Sequence, residues 1–235
     1  MAKEKVYKFT DPAKPAKSLV VLLKIAVILS LAAVLSTLNE LNILHQLKNK
    51  SFSSEEAIVA AANRSDLIEI AVGSVQIIVS GIILIVFLRW MYRAAANNQA
   101  WKIENITQKP HWGWLNFIIP VWSLFKPYEF FREIWNAVEF KKDEPENWKT
   151  LPGPGCLKIF WAMFLISNLL GRATFRLGMK AESFESLINL DWLCLTNEMV
   201  DMVQNLALIV LVSGIMERQK IYSEKLSAEN PAENA

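Results

Sequence analysis

Polar side chains set inside otherwise apolar stretches are the residues of this chain that could do chemistry. Asn168, Arg172 and Arg176 recur at i, i+4 and i+8 in "SNLLGRATFRL". Glu198, Asp201 and Asn205 recur at i, i+3 and i+7 in "NEMVDMVQN". On helices, each set forms one stripe. An ionisable group at the centre of a membrane-spanning helix costs roughly 2.5–3.5 kcal/mol, so it calls for a partner. Antiparallel neighbours would bring Arg172 near Asp201 and Arg176 near Glu198. Glu69 and Gln76, with Asn39 and Glu40, extend the same polar layer. Two chemistries fit it. One is ion pairs and amides that fix helix register. The other is a water-accessible pocket for a small ligand, or part of a proton or ion path. The first accounts for each charge, because every one has an opposite-sign candidate at similar depth.

A second candidate is basic. Arg89, Arg93 and Asn97 share one helical face beside Trp90 and Trp101, and Arg132 joins them if its helix folds back. Such a cluster suits a phosphate head group; ordinary positive-inside residues are the plainer reading of Arg89.

Other chemistry is missing from the sequence. His45 and His111 fall on opposite sides of the predicted membrane, and no metal-ligand spacing occurs. No nucleophile elbow, phosphate loop or dinucleotide fingerprint is present. Glu198 with Asp201 is the one conceivable acid–base pair. The chain therefore reads as non-enzymatic, with no catalytic site, cofactor or metal. Its net charge of +2, with no continuous basic tract, argues against nucleic acid. Cys156 and Cys194 are too few for a disulfide framework.

The elements that must position these residues are hydrophobic blocks in a chain of 235 residues, 53% of them hydrophobic. Four are long enough to span a membrane: 18–38, 70–88, 158–177 and 199–216. The first is too long for a signal-peptide core and lacks a cleavage site, so it reads as a retained span. Lysine and arginine orient the bundle. The segment before span one, the connection 89–157 and the tail hold seventeen, against six in and beside the other two connections. Both termini are then cytoplasmic. Lys24 and Lys158, near span ends, can snorkel.

The connection holds "HWGWLNFIIPVWSLFKPYEFFREIW", 111–135, rich in Trp112, Trp114, Trp122 and Trp135. Trp112–Phe125 would measure about 21 Å as a helix, too short for a core of roughly 30 Å. Pro120 interrupts it, so a re-entrant or interfacial course is expected. Pro127 suits the first turn of a new helix. There Phe130, Phe131, Ile134, Trp135 and Val138 form one face, with Glu129, Arg132, Glu133, Asn136 and Glu139 opposite. This predicts an amphipathic helix in the cytoplasmic interface, with simple packing of the bundle end as the alternative to ligand binding. "LPGPG", 151–155, resets the chain, "KKDEPENWK", 141–149, reads as a solvated turn, and the polar tail 220–235 reads as disordered.

The residues "RWMYRAAANNQ", "WLNFIIPVWSLFKPYEFFREIW", "SNLLGRATFRL" and "IMERQ" resemble the bacterial membrane family known as domain of unknown function 4328. The resemblance runs from about residue 70 to 219. Its most specific element is the series Trp114, Pro120, Pro127, Glu133, Ile134 and Trp135. It implies a small multi-span bacterial inner-membrane protein and brings no activity with it.

The expectation is an all-α membrane protein. A Lys-rich cytoplasmic start, 1–17, precedes a single membrane domain, 18–219, with four transmembrane helices and an interfacial element at 111–140. Its partners would be membrane lipids, with a homo-oligomer or a membrane protein as further candidates. The expected role is a lipid- or partner-binding module that organises or signals. The alternative is an oligomeric transporter or channel subunit, since four spans alone rarely enclose a pore. An intramembrane enzyme comes third.

Overall fold

The computed structural model describes residues 6–49, 54–103, 106–119, 121–138, 149 and 151–229. Among them the secondary structure is helical, with no strand. The elements are α1 (Ala13–Lys48), α2 (Glu55–Ala100), α3 (Leu115–Ile118), α4 (Lys126–Ala137), α5 (Gly155–Gly178) and α6 (Phe184–Glu229). Four of these, α1, α2, α5 and α6, are long and apolar enough to cross a membrane. The protein is an all-α, multi-pass membrane protein.

Each apolar block is the middle of a longer helix. At 46 residues, α2 and α6 reach about 69 Å, more than twice a hydrocarbon core of roughly 30 Å. The ends are set by capping. Asp11 Oδ1 accepts the Ala13 N–H at 2.8 Å, and Ser54 Oγ accepts the Ala57 N–H at 3.2 Å. At the start of α6, Ser183 Oγ accepts the Ser186 N–H and Ser186 Oγ accepts the Ser183 N–H, a reciprocal box. Pro154 stands just before α5, where its missing N–H costs nothing. The middle of α2 leaves Ile77 75% and Ile85 65% exposed. Water would not tolerate such a continuous apolar surface; lipid does.

Contacts divide the chain into two compact units. The first contains Met1–Leu22, Ile83–Ile159 and Ala207–Ala235; the second contains Leu23–Ile82 and Phe160–Leu206.

The first unit holds the Trp-rich connection. Its stretch 110–125 is broken into two 3-10 turns, Pro110–Trp112 and Trp122–Leu124, on either side of the four-residue α3. Pro120 lies outside the described residues, as do Glu139 and nearly all of the solvated-turn segment. The backbone turns at Val121, whose φ is 67°, a strained value for a β-branched residue. Trp112, Trp114, Ile118, Trp122 and Phe125 are exposed.

The next helix, α4, begins with Pro127 in its first turn, and its apolar face packs on protein. Phe130 and Phe131 are fully buried. The Phe131 ring stacks on Trp90 at 6.0 Å and lies 5.8 Å from Phe87. The predicted polar face differs from the structure at two positions: Glu133 and Asn136 are buried. Glu133 accepts the Thr107 and Gln108 N–H groups at 3.1 and 2.9 Å, and Asn136 donates to the Leu151 carbonyl at 3.0 Å. These two side chains tie the loops on either side to α4, and that bonding makes their burial tolerable.

The tail differs too. Residues 220–229 continue α6 as helix, carried by Tyr222 against Trp101 at 4.9 Å and by the Lys220–Glu224 pair at 3.8 Å. Residues 230–235 lie outside the described ones.

Candidate functional site

In the second unit, helix spacing brings the predicted polar residues together with different partners from those expected. Gln76 Nε2, from α2, donates to both carboxylate oxygens of Glu198 on α6, at 3.2 and 3.1 Å. The Ser30 hydroxyl, from α1, bonds the same carboxylate. Ser167 on α5 donates to Asp201 Oδ1 at 2.6 Å, and Asn197, one turn back on α6, donates to Oδ2 at 3.1 Å. Both acids are therefore held by neutral donors. A third contact joins the side chains of Glu69 and Glu40. Asn39 Nδ2 reaches Ser65 Oγ at 3.5 Å, and Asn205 is half-buried.

The expected pairs Arg172–Asp201 and Arg176–Glu198 are not among the ion pairs of the described residues. Both arginines are exposed on α5 instead. The physical reason is that hydroxyl and amide donors reach the buried acids at short range, without the cost of taking a guanidinium out of a polar medium. Arg172 and Arg176 line an open cleft of about 480 Å³ between α5 and α6, together with Ser167, Asn168, Asn197 and Gln204. Phe164 and Phe175 supply its aromatic wall. Asn197 Oδ1 and Gln204 Oε1 are buried with no hydrogen-bond partner among the described residues. Asn168 bonds back to the Phe164 carbonyl at 2.7 Å.

The basic cluster of the first unit is built differently. Asn97 is 1% and Gln219 0% exposed. Asn97 Nδ2 donates to Gln219 Oε1 at 3.2 Å and to the Thr10 carbonyl at 3.1 Å, while its Oδ1 accepts the Thr10 N–H at 3.1 Å. Gln219 Nε2 donates to the Ala94 carbonyl at 2.8 Å and to Asn98 Oδ1 at 3.1 Å. Arg93 donates to Thr10 Oγ1 at 3.1 Å; Arg89 is exposed and Arg132 half-buried. Asn97 thus spends its bonding capacity inside the protein, as a strut, with none left for an anion.

Residues 54–217 match the family described as Domain of unknown function (DUF4328). The chain belongs to this family. No curated protein and no solved structure matches it. The DUF4328 match begins at Ser54, so it leaves out α1, which contributes Ser30 and Glu40, and it ends before Gln219. The cleft between α5 and α6 lies wholly within it.

Sequence reasoning missed Ser167, Asn197, Gln204 and Gln219. The i, i+4 spacing of Asn197 and Asp201 was a usable signal. Gln219 has none in the helix pattern; only its contacts reveal it.

Proposed function

We propose that this DUF4328 member is a non-enzymatic membrane module that binds a small ligand in the cleft between α5 and α6. The carrying observation is the pair of exposed arginines on that cleft, with no ion pair among the described residues while the nearby acids are bonded by neutral groups. A charge left without a protein partner in a membrane-spanning helix is the default mark of a functional site. Native mass spectrometry of the protein released in mild detergent tests this reading. The expected result is a discrete bound mass. A bare protein in every mild detergent would overturn it.

In this reading the protein sits in the inner membrane of a bacterial cell with both termini cytoplasmic, supported by the seventeen-to-six distribution of lysine and arginine. Cys156 and Cys194 are half-buried, so cysteines placed at exposed Glu182 and Lys225 are better reporters. An impermeant thiol label applied to intact cells is expected to reach Glu182→Cys and spare Lys225→Cys. The reverse would invert the topology.

A second reading, an oligomeric transporter or channel subunit, draws on a different observation. Glu40, Glu69 and Asp191 gather acidic charge in the second unit, and Asp191 Oδ2 is buried with no hydrogen-bond partner among the described residues. Proteoliposome flux that is lost in Glu69→Gln would favour it.

A further inference from the structure

We infer that the cleft between α5 and α6 receives the phosphate of an anionic phospholipid, with Arg172 and Arg176 as its two ligands. This rests on the ligand-binding reading above and names the chemical class that the site takes.

The argument begins with what surrounds the arginines. They stand one helical turn apart, so two guanidinium forks face one region of the cleft. Phosphate oxygens match that fork in a bidentate manner, as carboxylates do. The acids on α6 that could have served as partners are otherwise engaged: Asp201 by Ser167 and Asn197, Glu198 by Gln76 and Ser30. No acid among the described residues pairs with the two arginines, which points to an anion from outside the chain.

The surface around the arginines indicates its source. On the same helix Leu169 is 73% and Phe175 71% exposed, an apolar surface that in a membrane-spanning helix meets lipid. Arg172 lies six residues from the end of α5 at Gly178, about 9 Å along the axis. From there its side chain reaches head-group level. The abundant anion at that level, beside an apolar wall, is a lipid phosphate rather than a soluble ion.

Polar residues beside the two arginines set this cleft apart from a merely snorkelling arginine. Asn197 is held in one orientation by its bond to Asp201, which leaves its amide oxygen as an unmatched acceptor; the Gln204 oxygen is unmatched as well. Buried acceptors without donors are uncommon in folded proteins. Both oxygens lie beneath the cleft surface, out of reach of a bound head group, so recognition of the lipid falls to the two guanidinium groups.

The experiment uses the full chain reconstituted in vesicles of phosphatidylglycerol and phosphatidylcholine, released into mild detergent and weighed by native mass spectrometry. Phosphatidylglycerol is expected to stay bound in preference to phosphatidylcholine. In Arg172→Gln/Arg176→Gln its affinity is expected to fall about tenfold or more, a loss of roughly one charge-assisted contact or greater. Lys180→Gln/Lys225→Gln, at two exposed cations outside the cleft, is expected to retain the lipid. If the double arginine variant does not fold, Arg172→Gln alone carries the same test. Equal retention of the two lipids overturns the anionic class. Retention that ignores the arginine variant overturns the site and leaves ligand binding intact. Displacement by millimolar inorganic phosphate overturns the lipid source. A wild-type protein that holds no lipid removes this inference, and if no other mass is bound it removes the proposed function as well.

Discussion

The two compact units treat polar groups in opposite ways. In the first, Asn97 and Gln219 exchange bonds with Thr10, Ala94 and Asn98, so two fully buried amides are consumed by the fold. In the second, the carboxylates of Glu198 and Asp201 are equally well bonded, yet the arginines on the neighbouring cleft have no acid among the described residues. The Asn97–Gln219 exchange fixes geometry and leaves those two amides nothing for a ligand, while Asn98 Nδ2 beside them is buried with no hydrogen-bond partner among the described residues. An open pair of cations holds its capacity in reserve. In the proposed reading, the comparison separates a structural polar site from a receptive one, although both look alike as stripes of polar residues in apolar helices.

The largest effect is expected from breaking the closed network. Gln219→Leu is close in volume but would strand Asn98 Oδ1, remove one of the two bonds of Asn97 Nδ2, and leave the Ala94 carbonyl only its helical bond. Each buried group so stranded costs about 1–3 kcal/mol, so the melting temperature in detergent should fall steeply, or the protein should fail to accumulate. A small shift would mean that water enters this network, and the contrast between the units would weaken.

A smaller loss is expected where α4 meets α6. A Cβ at Gly214 would lie 2.5 Å from two ring atoms of Trp135, which also carries the Arg218 guanidinium 4.2 Å above its ring. Gly214→Ala should therefore overpack this contact and cost about 1–3 kcal/mol. Trp135→Phe in the same chain should recover part of the loss, because the ring atoms in conflict belong to the larger indole. Thermal shift of the single and double variants decides it, and an undisturbed Gly214→Ala would show that Trp135 yields freely.

How far the sequence carried these distinctions can be followed residue by residue. The spans, the start of the amphipathic helix at Pro127 and the polar stripes on α5 and α6 all follow from period and composition. Pairing does not. Arg172 and Asp201 looked complementary because both lie at matching depth, but the short donors Ser167 and Asn197 reach Asp201 first. Glu133 and Asn136 looked solvent-facing because they are polar, but backbone groups far away in sequence need them. Periodicity reports which face a residue is on; it cannot report which distant backbone group lacks a partner. For the same reason its helical face alone marks Asn97 as a head-group ligand, whereas Gln219 and Thr10 use up its donors.

Asp201→Asn sharpens the point about pairing. Ser167 can still donate to the new amide oxygen, and the Asn197 amide must turn over for its unmatched oxygen to accept from the new nitrogen, so two charge-assisted bonds become neutral ones. The expected cost is about 1–3 kcal/mol. Exchanging the charges, as Arg172→Asp with Asp201→Arg, should bring no recovery beyond the sum of the single variants, since the native side chains are not partners. Recovery by the swap would restore the ion pair and undo the reading of the cleft.

The smallest expected change in stability is the most informative. Arg172→Gln/Arg176→Gln removes two charges that bond to nothing among the described residues, so the protein in lipid-free detergent should melt within about 0.5 kcal/mol of the original, as exposed substitutions usually do. The same variant in phosphatidylglycerol should lose the stabilisation that bound lipid confers on the original protein by mass action. The pair of measurements, with and without lipid, tells a structural arginine from a receptive one. Destabilisation of equal size in both media would assign Arg172 and Arg176 to the fold, and the second unit would then be as closed as the first.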